Sequence, residues 1–315
     1  MGWFIKNKRR PGWLALGWHE DSIDLVHVAR GADGKPAVAL CESFRTEGSQ
    51  TFTLKRLRKT HRLDEYRCTT LLPGAQYQLH HLEAPAVPDA ELKAAVRWRV
   101  KDVIDYPLEA AAIDVVRIPD DPDAPPREPS LYAVTARSEA VAACMKPFEE
   151  AQVPVQAVDI PDLAQRNVAA LLEREGSAVA MLAFYADASL LTFVRGGELL
   201  LSRRIEVRAD ELTDEDAARR EQTFQRVSLE AQRSLDHFEY QFRTVPVSRL
   251  VVAPLARDVG LTAHISSAVG IAVDQVDLAS VIDVAAAPEL KGSESQAHYL
   301  PLIGAALRSE AQAGA

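Results

Sequence analysis

The sequence predicts an α/β protein of two lobes, with a compact α+β unit between their two hairpin blocks. Three observations carry this prediction. At 315 residues the chain exceeds one ordinary small domain and suits two. Two similar blocks, at about 13–45 and 179–207, each enter as an apolar run, turn through a few polar residues and leave apolar again, the pattern of a β-hairpin. Between them, residues of about 86–160 read as helix–strand–strand–helix–strand, a unit of their own.

Taken in order, 13–30 and 36–45 read as strands around the turn Gly31–Ala32–Asp33–Gly34, and 52–62 as a helix. Thr69–Leu72 and Tyr77–Leu82 read as short strands around Pro73–Gly74, and Pro85 and Pro88 then punctuate the chain. Asp89 suits the N-cap of a helix running to about Asp105, with Glu91 favoured by the helix dipole. Leu92, Val96, Val100, Val103 and Ile104 make its apolar stripe, Arg97, Arg99 and Lys101 lie off it, and Pro107 stops it. Ile113–Ile118, Leu131–Ala136 and Val155–Asp159 are predicted as one small sheet. Pro119–Pro126 reads as an irregular, mobile loop, and Ser138 as the cap of a helix to about Gln152.

A helix is expected at about 161–173, then the second hairpin block with its tight turn at Gly196–Gly197. Phe224, Val227, Ala231, Leu235, Phe238 and Phe242 recur at three and four residues, which predicts a long amphipathic helix over about 220–242 with an ordinary core-facing stripe. Arg249–Ala253 and Gly270–Val276 read as strands, Ala285–Gln296 as a linker, and Tyr299–Arg308 as a closing helix. The division that follows is 1–85 for the first lobe, 86–160 for the inserted unit, 161–178 for a connecting helix, 179–298 for the second lobe and 299–315 for a helix returning to the first.

Hydrophobic content of 47% and charged content of 26% are those of a soluble globular chain. A net charge of −9, with no basic-aromatic patch, argues against a general nucleic-acid binder. Cys41, Cys68 and Cys144 fit no metal spacing and read as reduced thiols. His80 and His81 are adjacent on a strand, so they point to opposite faces and cannot chelate one ion together; no metal site is expected. The acidic runs Asp120–Asp121 and Asp214–Glu215–Asp216 lie in polar, solvated stretches, a poor setting for acid–base work. No phosphate-cradling glycine loop is present. No apolar run reaches the ~20 residues that span a bilayer. The N-terminal residues 2–10, with Trp3, Phe4 and Ile5 beside four cations, have the composition of a weak foot on an anionic membrane surface.

Several motifs nevertheless form a family pattern. They are Glu91–Lys101 with its exit Ile104–Asp105–Tyr106–Pro107–Leu108–Glu109, Val158–Asn167, Thr192–Ile205, Gln232–Asp236, and the closing Leu302–Ile303–Gly304–Ala305–Ala306–Leu307–Arg308. With this order of blocks, the chain from about 13 to 308 resembles the PilM-type actin-like proteins of type IV pilus assembly, and within them the branch serving MSHA (mannose-sensitive haemagglutinin) pili. The resemblance implies an actin-like (ribonuclease H-like) two-lobed fold and a cytoplasmic platform protein, peripheral at the inner membrane. It also implies a partner: a bitopic, PilN-like inner-membrane protein whose cytoplasmic N-terminal peptide enters a groove between the inserted unit and the first lobe. On that basis Arg97, Arg99, Val115, Arg117, Tyr132 and Val134 are the expected groove residues.

The departures lie at the nucleotide site. An ATP-hydrolysing relative would carry Asp at positions 17 and 183 and Gly at 19 and 185, because backbone N–H groups must approach phosphate with no Cβ in the way. This chain has Gly17, His19, Ala183 and Tyr185, with Ser22 and Asp187 in the two turns, and Ala253–Pro254–Leu255–Ala256 where the adenosine-side glycines are expected. The expectation is therefore a scaffold with no catalytic residues and no cofactor. The alternative is an ATP-binding protein or ATPase with an atypical site, using Asp21, Asp24 or Asp187 for magnesium. A sugar kinase of the same superfamily would need the same missing elements.

Overall fold

A computed structural model describes residues 9–119 and 128–309. The N-terminal foot as far as residue 8, most of the expected loop at 119–126 and the last six residues lie outside the described residues. In chain order the elements are β1 (Trp13–His19), β2 (Ser22–Arg30), β3 (Pro36–Arg45), α1 (Gln50–Thr60), β4 (Arg67–Leu71), β5 (Tyr77–Glu83), α2 (Asp89–Arg99), β6 (Ala111–Ile118), β7 (Ser130–Arg137), α3 (Ser138–Ala151) and β8 (Val155–Asp159). They continue as α4 (Pro161–Ala169), β9 (Ala178–Phe184), β10 (Ser189–Arg195), β11 (Glu198–Ile205), α5 (Ala217–Gln241), β12 (Val247–Val252), α6 (Leu261–Ala268), β13 (Val273–Gln275) and α7 (Ser293–Ala306).

Each lobe holds a five-stranded sheet of the same order: β3-β2-β1-β4-β8 in the first and β11-β10-β9-β12-β13 in the second. In both, an antiparallel three-stranded meander continues into parallel strands that arrive by helical crossovers. β1 is apolar at consecutive positions because both of its faces are covered. Leu14 and Leu16, with Ile23 and Leu25 of β2, pack in one cluster with α1 and α3, whereas Ala15, Val26 and Val28 belong to the other, which α7 covers. The long stripe of α5 closes the second lobe: Phe193 and Phe238 stack at 4.6 Å and Phe238 and Phe242 at 4.8 Å. Gly196 and Gly197 both sit at positive φ, as the two-residue turn between β10 and β11 requires.

The lobes meet through α4 and α7. α4 packs on β9, β10 and β11, while α7 crosses β1, β2 and β4, and the two helices lie against each other. They touch at Gly304, where a methyl group would fall 2.3 Å from the carbonyl oxygen of Ala164. The helix returning to the first lobe is thus present, but it begins at Ser293 rather than near 299, and 293–296 are helix rather than linker.

The small sheet differs from expectation in one strand. Its order is β5-β7-β6, all antiparallel. Val155–Asp159 is not its third strand: β8 pairs in parallel with β4 at the edge of the first-lobe sheet, and Leu72 N–H extends the ladder to Asp159 O. The physical reason is α3, which packs on α1 and carries the chain back to the unpaired edge of β4. The vacant place is taken by β5, which precedes Pro85 and lies within the range 1–85. Two helix details also change. α2 ends at Arg99 in a single 3-10 turn, and neither Asp89 nor Ser138 is a cap; each is the first helical residue, and Asp89 instead pairs with Arg117.

Candidate functional site

The first turn is the end of the β1–β2 hairpin. Gly17 lies opposite Asp24 and His19 opposite Ser22, whose hydroxyl donates to His19 O at 2.8 Å. A Cβ at Gly17 would lie 2.8 Å from Leu302 Cδ2 on α7, so α7 packs where an aspartate side chain would stand. Asp24 is buried and accepts from His298 Nε2 at 2.7 Å, and this hydrogen bond raises the histidine above its ordinary value. His298 in turn meets His19 edge-on at 4.5 Å.

The second turn joins β9 to β10. Ala183 is fully buried, and Tyr185 N–H donates to Ala188 O at 2.9 Å across the turn. The Tyr185 side chain reaches down to α4, donating to Gln165 Oε1 at 2.9 Å, and burial pushes its hydroxyl pKa up. Gln165 completes this post by donating to Met181 O at 2.7 Å and Thr192 Oγ1 at 3.0 Å. Asp187 pairs with Arg204 at 3.1 Å.

Both turns and the stretch Pro254–Leu255–Ala256 line one cavity of about 620 Å³ between the lobes, closed on another side by Glu294, His298 and Pro301 of α7. The donor set of this cavity does not suit magnesium–ATP. The three acids considered for a metal are each engaged: Asp21 with Arg45 at 3.2 Å, Asp24 with His298, and Asp187 with Arg204. His19 and Tyr185 occupy the two positions where glycine is expected in a phosphate turn, and the Tyr185 ring turns away to α4. Glu294 and Asp210 add negative charge to the walls, against Arg257. Among the described residues, no group of three or more His, Cys, Asp or Glu is placed to hold a metal ion.

The expected groove residues do not gather. Arg97 donates to Leu108 O at 2.7 Å and Arg99 to Glu83 O at 2.9 Å, so both tie α2 to its own neighbours. Arg117 pairs with Asp89, and Val115 packs in the cluster under α2. Tyr132 and Val134 point to the opposite face of the sheet. Tyr132 is buried there: its hydroxyl accepts from Ser202 N–H at 3.2 Å and donates to Leu200 O at 3.4 Å, both on β11, and burial pushes it up to about 12. His80 and His81 do face opposite ways, toward Thr135 and the Tyr132 ring respectively.

A smaller cavity of about 250 Å³ opens at the junction of the small sheet with the first lobe, between the start of β5, the end of β7, the first turn of α3 and the loop at Asp105–Tyr106. Its charged groups are Asp105 and Arg137, 3.6 Å apart, and the Arg137 guanidinium lies 4.4 Å over the Tyr106 ring. The Tyr106 hydroxyl is buried with no partner, an open polar group beside an open space. None of the six expected groove residues lines it. Asp105 and Tyr106 did stand out in the exit motif after α2; Arg137 gave no sequence signal, because only the pairing of β7 with β5 and β6 brings it there.

No protein-family model matches this chain, and no curated protein matches it. Solved structures do. A PilM–PilN type IV pilus biogenesis complex matches with a TM-score of 0.68 at 20% identity, over 94% of this chain and 99% of that one. A protein of unknown function with an actin-like ATPase fold from Bacteroides thetaiotaomicron matches with a TM-score of 0.48 at 11% identity, over 92% and 98%. The fold is actin-like. The cytoplasmic domain of EpsL, an inner-membrane component of the type II secretion system of Vibrio cholerae, matches with a TM-score of 0.45 at 15% identity, over 76% and 81%. In this actin-like chain the 620 Å³ cavity is the inter-lobe cleft, and all three altered elements border it.

Proposed function

We propose that this protein is a non-catalytic scaffold of a type IV pilus assembly platform, of the MshI type that serves MSHA pili. It acts at the cytoplasmic face of the inner membrane and holds the N-terminal peptide of a bitopic, PilN-like partner. The observation that carries the reading is the likeness over almost the whole of both chains to a structure described as a PilM–PilN complex. The 250 Å³ cavity is the seat of the peptide: an arginine–carboxylate pair and an unpartnered tyrosine hydroxyl offer both signs of charge and a donor to a backbone or a polar side chain. No helix among the described residues is long and apolar enough to cross a membrane.

The test is co-purification with a single-span, PilN-like pilus protein, or with a synthetic peptide of that protein's cytoplasmic end. Arg137→Glu is expected to abolish capture and Arg97→Glu to weaken it far less. Capture that survives Arg137→Glu places the peptide elsewhere.

The preserved cleft favours a second reading, an ATP-binding protein with an atypical site. Titration with ATP and magnesium separates the two. A nucleotide bound at micromolar concentration raises the melting temperature by mass action, and the scaffold reading expects no rise at millimolar ATP.

A further inference from the structure

α2 has two faces of opposite character. Leu92 and Val96, with Val100 just past the helix, are buried in one cluster with Ile113, Leu131 and Ala133 of the small sheet. The opposite face carries Glu91, Ala94 and Trp98, and Lys101 follows in the 3-10 turn; all four are exposed. Their spacings of three, four and three set them in one row. Trp98 is 70% exposed, in a chain that buries Trp13. Among the described residues it makes no ring or cation contact, and neither Glu91 nor Lys101 makes an ion pair. The other charges of the helix are all engaged. Lys93 pairs with Asp114 at 3.1 Å and Asp89 with Arg117, while Arg97 and Arg99 hold carbonyl oxygens.

The row is complementary to itself read backwards. When two copies of α2 lie antiparallel about a two-fold axis at the level of Val96, each residue meets the one equally far beyond that level. Trp98 then meets Ala94, and Lys101 meets Glu91. By symmetry each contact occurs twice. The bulkiest side chain of the row lies over the smallest, and acid lies beside base. Lys93 and Arg99 also come to the same level, but Asp114 and Glu83 O hold them off the row. The direction is fixed by charge as well: α2 is acidic in its first turn and basic in its last. Antiparallel helices set those ends against each other, whereas parallel ones would set like against like.

We infer that this face of α2 is a self-association surface, and that its partner is a second copy of this chain. A surface of one sign, such as an anionic bilayer or a nucleic acid, attracts Lys101 but repels Glu91, so it matches one end of the row alone. One helix face per copy lies at the small end of interface sizes, which makes the dimer weak, with a dissociation constant on the order of 100 μM. None of Glu91, Ala94, Trp98 and Lys101 lines either cavity. Failure of the dimer therefore leaves the scaffold reading standing, and the reverse.

The experiment is sedimentation equilibrium of the full chain from about 10 μM to about 1 mM, a range that brackets the expected constant. Wild type is expected to pass from monomer toward dimer as concentration rises. Trp98→Ala raises the dissociation constant about 30-fold, the usual loss for a central aromatic anchor. Glu91→Lys and Lys101→Glu each raise it about tenfold at low salt, because each sets like charges together at two symmetric contacts. Combined in one chain the two reversals put acid opposite base again, and the constant returns to within about threefold of wild type. Phe52→Ser, at an exposed ring on α1, leaves it unchanged. A circular dichroism spectrum and a cooperative melt like those of wild type show each variant to be folded. A monomer at every concentration, which leaves the face to a lipid or to a different protein, overturns the inference. So does a dimer indifferent to Trp98→Ala, or a double reversal no tighter than its singles.

Discussion

Gly304→Ala tests the contact that sets the two lobes against each other. The added methyl would sit 2.3 Å from Ala164 O and 2.6 Å from its carbonyl carbon, and ordinary contact begins at 3.4 Å. The obstacle is backbone, which no rotamer change can move, so α4 and α7 must part by about 1 Å along their crossing. Overpacking of this kind costs about 1–3 kcal/mol. Separation also stretches the bond from Asn167 Nδ2 to Gly304 O, now 2.9 Å, whose loss costs about 1 kcal/mol. Against this, alanine gains about 1 kcal/mol over glycine in a helix interior. The net expectation is a destabilisation of about 2 kcal/mol, read as a lowered urea midpoint at unchanged slope. Gly270→Ala is the internal control, since nothing lies within 4 Å of its Cβ position and its φ is not left-handed; it should be neutral or slightly stabilising. A Gly304→Ala midpoint equal to or above wild type would refute the close crossing and the inter-lobe geometry built on it.

Gly17→Asp should not restore nucleotide binding: it drives against Leu302 and places a second carboxylate opposite buried Asp24, costing about 2 kcal/mol or more by chemical denaturation, part of which Leu302→Ala in the same chain should recover. The His298–Asp24 pair should give a pH-dependent stability. His298 is raised by its hydrogen bond to Asp24, so the stabilisation is complete below 6.5 and fades as pH rises through the elevated folded value; the gap between wild type and His298→Gln must shrink in that direction, and a gap that widens refutes the assignment. Asp162→Ala removes the acceptor shared by the Tyr77 hydroxyl on β5 and, at 2.5 Å, Ser202 Oγ on β11, leaving the tyrosine hydroxyl without that partner; a loss of about 3 kcal/mol and earlier proteolytic cleavage in the small sheet are expected, and native-like resistance would count against Asp162 holding the small sheet to the second lobe.

Local chemistry made much of this chain legible. The hairpins around Gly31–Gly34 and Gly196–Gly197 are written in turn residues, and the α5 stripe in its period; these signals lie within one element and survive any packing. The replacement of the phosphate-binding residues at 17, 19, 183 and 185 is likewise visible in the letters alone. Which sheet a strand joins is not. Val155–Asp159 looks the same whether it pairs with β7 or β4, and only the return of α3 to an open edge chose β4. Arg97 and Arg99 lie off an apolar stripe and read as groove residues, until the carbonyls of Leu108 and Glu83 are brought to meet them. Leu302 lies far along the chain from the Gly17 position it fills, and His298 from Asp24. Sequence by itself determined most of the elements and the residue types at positions 17, 19, 183 and 185, because both are read from residues adjacent in the chain. The tertiary structure decided the cavity beside Asp105, Tyr106 and Arg137 and the packing of Leu302 against Gly17, because both are made by side chains that only long-range packing brings within contact distance.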